Sequence, residues 1–155
     1  MEEIKRITSF SVDHDVMVPG FYISRIDGDV VTYDLRTRKP NAGDYMDNIT
    51  MHSVEHMFAT YARNSEYSDD IVYFGPMGCQ TGFYLLVRRQ DPEVVFELTK
   101  RIVDKILAYE GPVFGAVQKE CGNYRNLSLE SAKVEMRKYK EVLAKGHLEG
   151  FAYPV

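Results

Sequence analysis

Three short strings in this chain carry side chains able to do chemistry. His52-Ser53-Val54-Glu55-His56 sets two imidazoles four residues apart, so on a helix both rings leave the same face, as a pair of metal ligands must. Glu55 points to nearly the same side and can act as a general base beside a bound ion. A catalytic site of the zinc type uses about three protein ligands and keeps one position open. Cys121, in Glu120-Cys121-Gly122-Asn123-Tyr124, offers the third, because glycine lets the backbone come close and a thiolate can reach an ion held by the helix. His52, His56 and Cys121 would then form an open, soft-to-borderline set suited to iron(II), cobalt or zinc. The other thiol, Cys79, sits in the glycine-rich turn Gly75-Pro76-Met77-Gly78-Cys79-Gln80-Thr81-Gly82. A thiol transfers protons usefully only where a nearby cation or N–H donors favour the thiolate. The plainer alternatives stay open at this point: the histidines as a polar helix face, and each cysteine as a small buried apolar residue. Arg36, leaving a strand in DLRTRKPN, and His147, without any partner spacing, read as solvated surface, and His14 stands alone in SFSVDHD. Arg36 gains interest only if something acidic or rich in hydroxyls must be held, since its planar fork suits bidentate recognition.

The elements that position these strings follow from periodicity. From Gly20 to Arg36 two β-rich runs flank Asp27-Gly28, a dipeptide suited to a tight hairpin turn. Asn41-Ala42-Gly43-Asp44 reads as a loop, and from about Asp47 to Arg63 the residues Met51, Val54, Phe58, Tyr61 and Ala62 fall at helical spacing. Runs from Ile71 and from Gly82 read as buried strands separated by a turn carrying Pro76 and Gly78. Asp91 supplies an N-cap and Pro92 a first helical residue for a stripe of Val95, Leu98, Ile102, Val103 and Ile106. That helix must stop around Glu110-Gly111-Pro112. A third helix follows Ser128 with Leu129, Ala132, Met136, Tyr139 and Leu143, and ends near Gly146. Hairpins mixed with non-alternating helices predict an α+β fold, an antiparallel sheet covered by helices.

Composition narrows the function. The 155 residues are 45% apolar and 27% charged, the profile of a single soluble domain over 1–155 whose core needs no disulfide staples. With 19 basic and 23 acidic side chains the net charge is -4, which leaves no electrostatic footprint for nucleic acid. The N-terminal MEEIKRITSF lacks a secretory pattern, and no apolar run approaches the ~18 residues of a spanning helix, so a cytoplasmic protein without a membrane partner is expected. Cysteines in a reducing compartment are more often metal-binding or catalytic than bridged. No dinucleotide glycine fingerprint is present, which is consistent with a chemistry that needs no organic cofactor.

Taken together, HSVEHMFAT, GPMGCQTGFYL and ECGNY, with SFSVDHD and DLRTRKPN, resemble the S-ribosylhomocysteine lyase (LuxS) family, from about Ser9 to the third helix. The resemblance implies a homodimeric α+β enzyme, LuxS/metallohydrolase-like, with active sites at the dimer interface. It would cleave the thioether of S-ribosylhomocysteine to homocysteine and 4,5-dihydroxy-2,3-pentanedione, the autoinducer-2 precursor, by carbonyl migration and β-elimination. It implies His52, His56 and Cys121 as ligands of one divalent metal per subunit, usually iron(II), with zinc or cobalt as substitutes. Cys79 and Glu55 would be the acid/base pair, and Ser9, His14 and Arg36 would contact the substrate. One departure is visible: where many members carry Asp-Ile-Ser-Pro-Met-Gly-Cys, this chain has Tyr73-Phe74-Gly75-Pro76-Met77-Gly78-Cys79, so Tyr73 replaces an aspartate expected to meet the substrate's amino acid end. The runner-up is an inverzincin-like metallopeptidase using the same helix, its third ligand a downstream carboxylate such as Glu130 or Glu135. A non-catalytic metal or thiol-redox module is a further class, but the cysteines lack the C-x-x-C arrangement of redox motifs.

Overall fold

A computed structural model describes residues 2–155. A short helix, α1 (Thr8–Ser11), precedes the hairpin β1 (Gly20–Asp27) and β2 (Val30–Arg36); then come α2 (Asn48–Arg63), β3 (Ile71–Pro76), β4 (Gly82–Arg88), α3 (Pro92–Ala108) and α4 (Leu129–Ala144). The strands form one antiparallel sheet in the order β1-β2-β4-β3. This is the expected α+β class. Among the described residues no helix is long and apolar enough to cross a membrane.

The long elements begin and end for local reasons. Asp47 caps α2 by accepting from the Thr50 N–H at 2.8 Å, and these bonds from Thr50 hold its carboxyl below the usual range. Ser128 caps α4 through the Ser131 N–H at 3.1 Å, and Gly146, at φ +81°, ends the run. At α3 the expectation needs correction: Asp91 occupies the N-cap position, but its side chain makes no capping bond. Pro92 sets the helical φ at N1, so the start rests on the proline alone. The hairpin turn also differs by one residue, since Asp27 pairs with Val30 and leaves Gly28-Asp29 as the loop, with Gly28 at φ +62°.

Alternation along the strands divides the sheet. Phe21, Tyr33, Leu35, Phe83, Leu85 and Val87 join the core with Val54 and Phe58 of α2, Leu98 and Ile102 of α3, and Met136 and Tyr139 of α4. Phe58 stacks on Phe74 at 4.2 Å and so ties the histidine-bearing helix to β3. Truncating Phe58 to alanine would cost roughly 3–5 kcal/mol.

The opposite face carries a row of register partners, Tyr22, Asp34 and Tyr84, and beside it Gly20, Arg36 and Gly82. The two glycines have different neighbours: a Cβ at Gly20 would lie 2.6 Å from the Tyr22 hydroxyl oxygen, whereas one at Gly82 would lie 2.7 Å from the Leu35 carbonyl oxygen and 3.1 Å from the Arg36 Cα, so Gly82 is what lets β4 lie close against β2 beside Arg36. On the same sheet, the ring of Tyr73 lies over Gly75, where a Cβ would come within 2.0 Å of the tyrosine oxygen.

Candidate metal centre and the thiol beside it

His52 and His56 lie one turn apart on α2 with ring centroids 4.6 Å apart and planes nearly perpendicular, at 89°. His52 Nδ1 meets the Asn126 carbonyl at 2.9 Å and His56 Nδ1 meets the Phe114 carbonyl at 2.8 Å. A carbonyl only accepts, so both Nδ1 atoms carry the proton and both Nε2 atoms keep a free lone pair. The Asn126 side-chain nitrogen, which donates to Asn48 Oδ1, also approaches His52 Nδ1, at 3.3 Å, but with the proton on Nδ1 this is a contact between two donors and not a hydrogen bond. Cys121 Sγ lies 3.4 Å from His52 Nε2 and accepts from the Asn123 N–H at 3.4 Å. The ligand atoms of His52, His56 and Cys121 all fall within 4.8 Å of one another. Metal–nitrogen and metal–sulfur bonds of about 2.0 and 2.3 Å at a tetrahedral angle put N and S roughly 3.6 Å apart. The donor set therefore fits a metal ion.

The long connection between α3 and α4 does most of the positioning, although it contains no helix or strand. Gly115 adopts φ +72°, and a Cβ there would stand 3.1 Å from His56 Nδ1, so glycine is needed for the Phe114 carbonyl to reach the ring. The Cys121 N–H donates to the Val117 carbonyl at 3.1 Å, which closes a turn around the thiol. The Ser128 N–H donates to Ser53 Oγ at 2.8 Å, and Ser53, between the two ligands, is fully buried. Sequence reasoning treated this stretch as a loop and missed Phe114, Asn126 and Ser53; a small hydroxyl residue on the buried side of a ligand helix was the one available signal.

Glu55 and His52 open onto a cleft of about 230 Å³ that Asn48, Asn123, Asn126 and Pro76 also line. Pro76 ends β3 just before the Cys79 turn, so this cleft borders both motifs. A larger hollow, about 510 Å³, lies along the outer side of α3 among Glu93, Glu97, Lys100 and Arg101; it is a trough between solvated charges, away from the ligands. Cys79 is exposed, not buried, and its Sγ lies 3.0 Å from Thr81 Oγ1. Arg36 Nη1 donates to Thr81 Oγ1 at 2.9 Å and lies 3.8 Å from the sulfur.

This corrects the view of Arg36 as solvated surface. It is 2% exposed and forms a bidentate pair with fully buried Asp34, Nη2 to Oδ2 at 2.6 Å and Nε to Oδ1 at 3.1 Å. Burial alone would loosen the proton, but the charge of Asp34 and the bonds to it outweigh this and hold the guanidinium above its ordinary value. The Cys79 turn thus has a permanent cation beside it.

Other residues fall elsewhere. Ser9 faces the outer sheet with Ser24, Tyr73 and Tyr84, and His14 bonds the Val12 carbonyl at 2.9 Å. Among the described residues neither hydrogen-bonds the histidine–cysteine group or Cys79. Tyr73 is half exposed on this face. His147 is not free surface: it stacks on Phe151 at 3.7 Å and bonds Glu93 Oε1 at 2.6 Å. The carboxylates a peptidase would use are engaged away from the centre, Glu135 fully buried against Arg38 at 2.6 Å and Glu130 with Arg137 at 3.5 Å.

Comparison with known proteins agrees with this geometry. The family model described as S-Ribosylhomocysteinase (LuxS) matches residues 7–148. An S-ribosylhomocysteine lyase of Borrelia garinii subsp. bavariensis is 40% identical over 157 residues, spanning 97% of this chain and all of the relative. One from Finegoldia magna is 40% identical, covering 97% of this chain and 99% of the relative, and one from Phocaeicola vulgatus is 41% identical, covering 97% and 98%. Nothing among these relatives supports a peptidase. With the match running through the ligand helix, the thiol turn and the Cys121 loop, this chain belongs to the S-ribosylhomocysteinase (LuxS) family.

Proposed function

We propose that this protein is a metal-dependent lyase that cleaves S-ribosylhomocysteine to homocysteine and 4,5-dihydroxy-2,3-pentanedione, and that residues 1–155 form one lyase domain with a metallohydrolase-like layering. The observation that carries it is the pair of Nδ1-anchored histidines facing Cys121, in a chain of this family. Two imidazoles and a thiolate are a borderline-soft set that suits iron(II), cobalt or zinc, one ion per subunit; the choice of iron(II) among them follows the family resemblance. When bound, the ion supplies Lewis-acid polarisation of the sugar carbonyl.

The remaining chemistry is proton movement, assigned to Cys79 and Glu55. Taking the proton from C2 and delivering one to C1 shifts the carbonyl to C2; repeating this from C3 to C2 shifts it to C3. With a ketone at C3, removing the C4 proton lets the C5–S bond break, and the electron pair leaves on the homocysteine sulfur. No oxidant or reductant enters, in keeping with a site that needs no organic cofactor. The support for Cys79 is its exposed sulfur beside Arg36, and for Glu55 its place on the cleft next to His52.

Ser9, His14 and Arg36 are proposed to hold the substrate, with the active sites completed in a homodimer. Exposed Ile7 and Tyr73, which border one hollow on the outer sheet face, are the apolar surface that supports a partner copy. The two free thiols accord with a cytoplasmic protein.

The test is thiol release from S-ribosylhomocysteine by anaerobically purified, iron-loaded protein. We expect turnover in the parent chain, none in Cys79→Ala with metal retained, and loss of metal in Cys121→Ala. Equal metal loss in both variants would overturn the division of labour between the cysteines.

A further inference from the structure

The segment after α4 packs back onto the body and ends at the charged pair behind the Cys79 turn. Phe151, 4% exposed, meets Phe21 at 5.7 Å and Phe96 at 6.1 Å and carries His147 stacked on its outer side. A left-handed step at Gly150 and Phe151, φ +65° and +57°, then turns the chain along the outer sheet face. There the Tyr153 hydroxyl donates to Asp34 Oδ2 at 2.7 Å, and its ring lies 4.9 Å from that of Tyr22. The oxygen it reaches is the one that also receives Arg36 Nη2.

We infer that Tyr153 is a positioning residue for the reactive thiol, acting through Asp34 and Arg36: its hydroxyl takes up part of the Asp34 charge and fixes the carboxylate, so that the Arg36 guanidinium stays aimed at Thr81 and Cys79. The relay is continuous, with Tyr153 to Asp34 at 2.7 Å, Asp34 to Arg36 at 2.6 Å, Arg36 to Thr81 at 2.9 Å and Thr81 to Cys79 at 3.0 Å. Without the hydroxyl, a carboxylate with one donor fewer would draw the guanidinium toward itself and present more negative charge near the sulfur. Both effects disfavour a thiolate. Burial, and then the charge of Asp34, keep the Tyr153 proton in place, so the hydroxyl remains a donor throughout the neutral range. Tyr153 also lies beyond the residues 7–148 that the family model matches.

The inference rests on the reading of Cys79 as the reactive thiol, but its test does not need the substrate. Metal-loaded protein is treated with iodoacetamide at neutral pH, and modification of Cys79 is followed by mass spectrometry of its peptide. In Tyr153→Phe we expect the rate to fall about fivefold, the worth of one net hydrogen bond. A chain lacking residues 152–155 should show the same fall. Tyr22→Phe, whose hydroxyl donates instead to the Val18 carbonyl at 2.6 Å, should react like the parent. An unchanged or faster rate in Tyr153→Phe would overturn the inference, because mere loosening cannot slow the modification of an already exposed sulfur. An equal fall in Tyr22→Phe would overturn it too. If Cys79→Ala kept turnover, the catalytic reading of Cys79 would fall while the alkylation result stood on its own.

Discussion

On the helical side of the site the groups that aim the ligands are main-chain carbonyls, those of Phe114 and Asn126, whereas on the sheet side the groups that aim Arg36 are side chains, Asp34 and Thr81, with Tyr153 behind them. A carbonyl is present whatever residue bears it, so the histidines depend on the path of a loop more than on its letters. The guanidinium depends on the letters themselves. Substitutions should therefore be felt differently on the two sides, in kind and in size.

The largest effect is expected at Asp34. Asp34→Ala would leave Arg36 buried without its counter-charge, a loss of about 3–5 kcal/mol, and thermal unfolding should shift down by on the order of 10 °C. A shift of a degree or two would show that the pair is far less buried in solution. On the helical side the most damaging small change is Gly115→Ala, which forces a side chain into a left-handed conformation at about 1–3 kcal/mol and crowds His56. Faster loss of metal to a chelator should accompany it, and unchanged metal release would argue against loop path as the controlling variable. Asn126→Ala keeps the carbonyl and removes only the amide bonded to Asn48. We expect metal retention and a stability change near or below ~1 kcal/mol; metal loss on the scale of His52→Ala would erase the contrast drawn above.

A further effect is a pH dependence to which two phenols of the sheet contribute. Burial, followed by the charge of Asp34 for Tyr22 and of Asp91 for Tyr33, pushes both phenols up to about 12. The folded chain thus keeps protons that the unfolded chain releases from pH 10.0 upward. The stability these groups contribute is whole below that point and is lost as pH rises through about 12. Denaturant titrations across this window should show falling stability, and Tyr33→Phe should flatten the slope.

Much of this molecule was legible in its sequence. Helical periodicity carried α2, α3 and α4, and Pro92 and Gly146 marked their limits, because apolar spacing and backbone restrictions are local properties. The histidine pair of the candidate centre was legible for the same reason, since His52 and His56 need only the helix to share a face. Asp34 and Arg36 lay two residues apart in a strand and gave no sign of burial; that comes from Tyr22, Tyr84 and Tyr153, which reach the pair only through strand register and the returning tail. His147 was misread similarly, its partners Glu93 and Phe96 lying on a distant helix. Tertiary pairing of polar groups has no periodic signature.

Tyr73 and Gly75 are two letters that function as one. The ring occupies the space a side chain at position 75 would need, so an alanine there would swing the tyrosine outward and reshape the outer face of the sheet without touching the histidine–cysteine group or Cys79. Conversely, a small residue at 73 would make position 75 permissive. In directed evolution of this surface the two sites should show strong epistasis: libraries that randomise them singly would miss combinations that are accessible only when both vary.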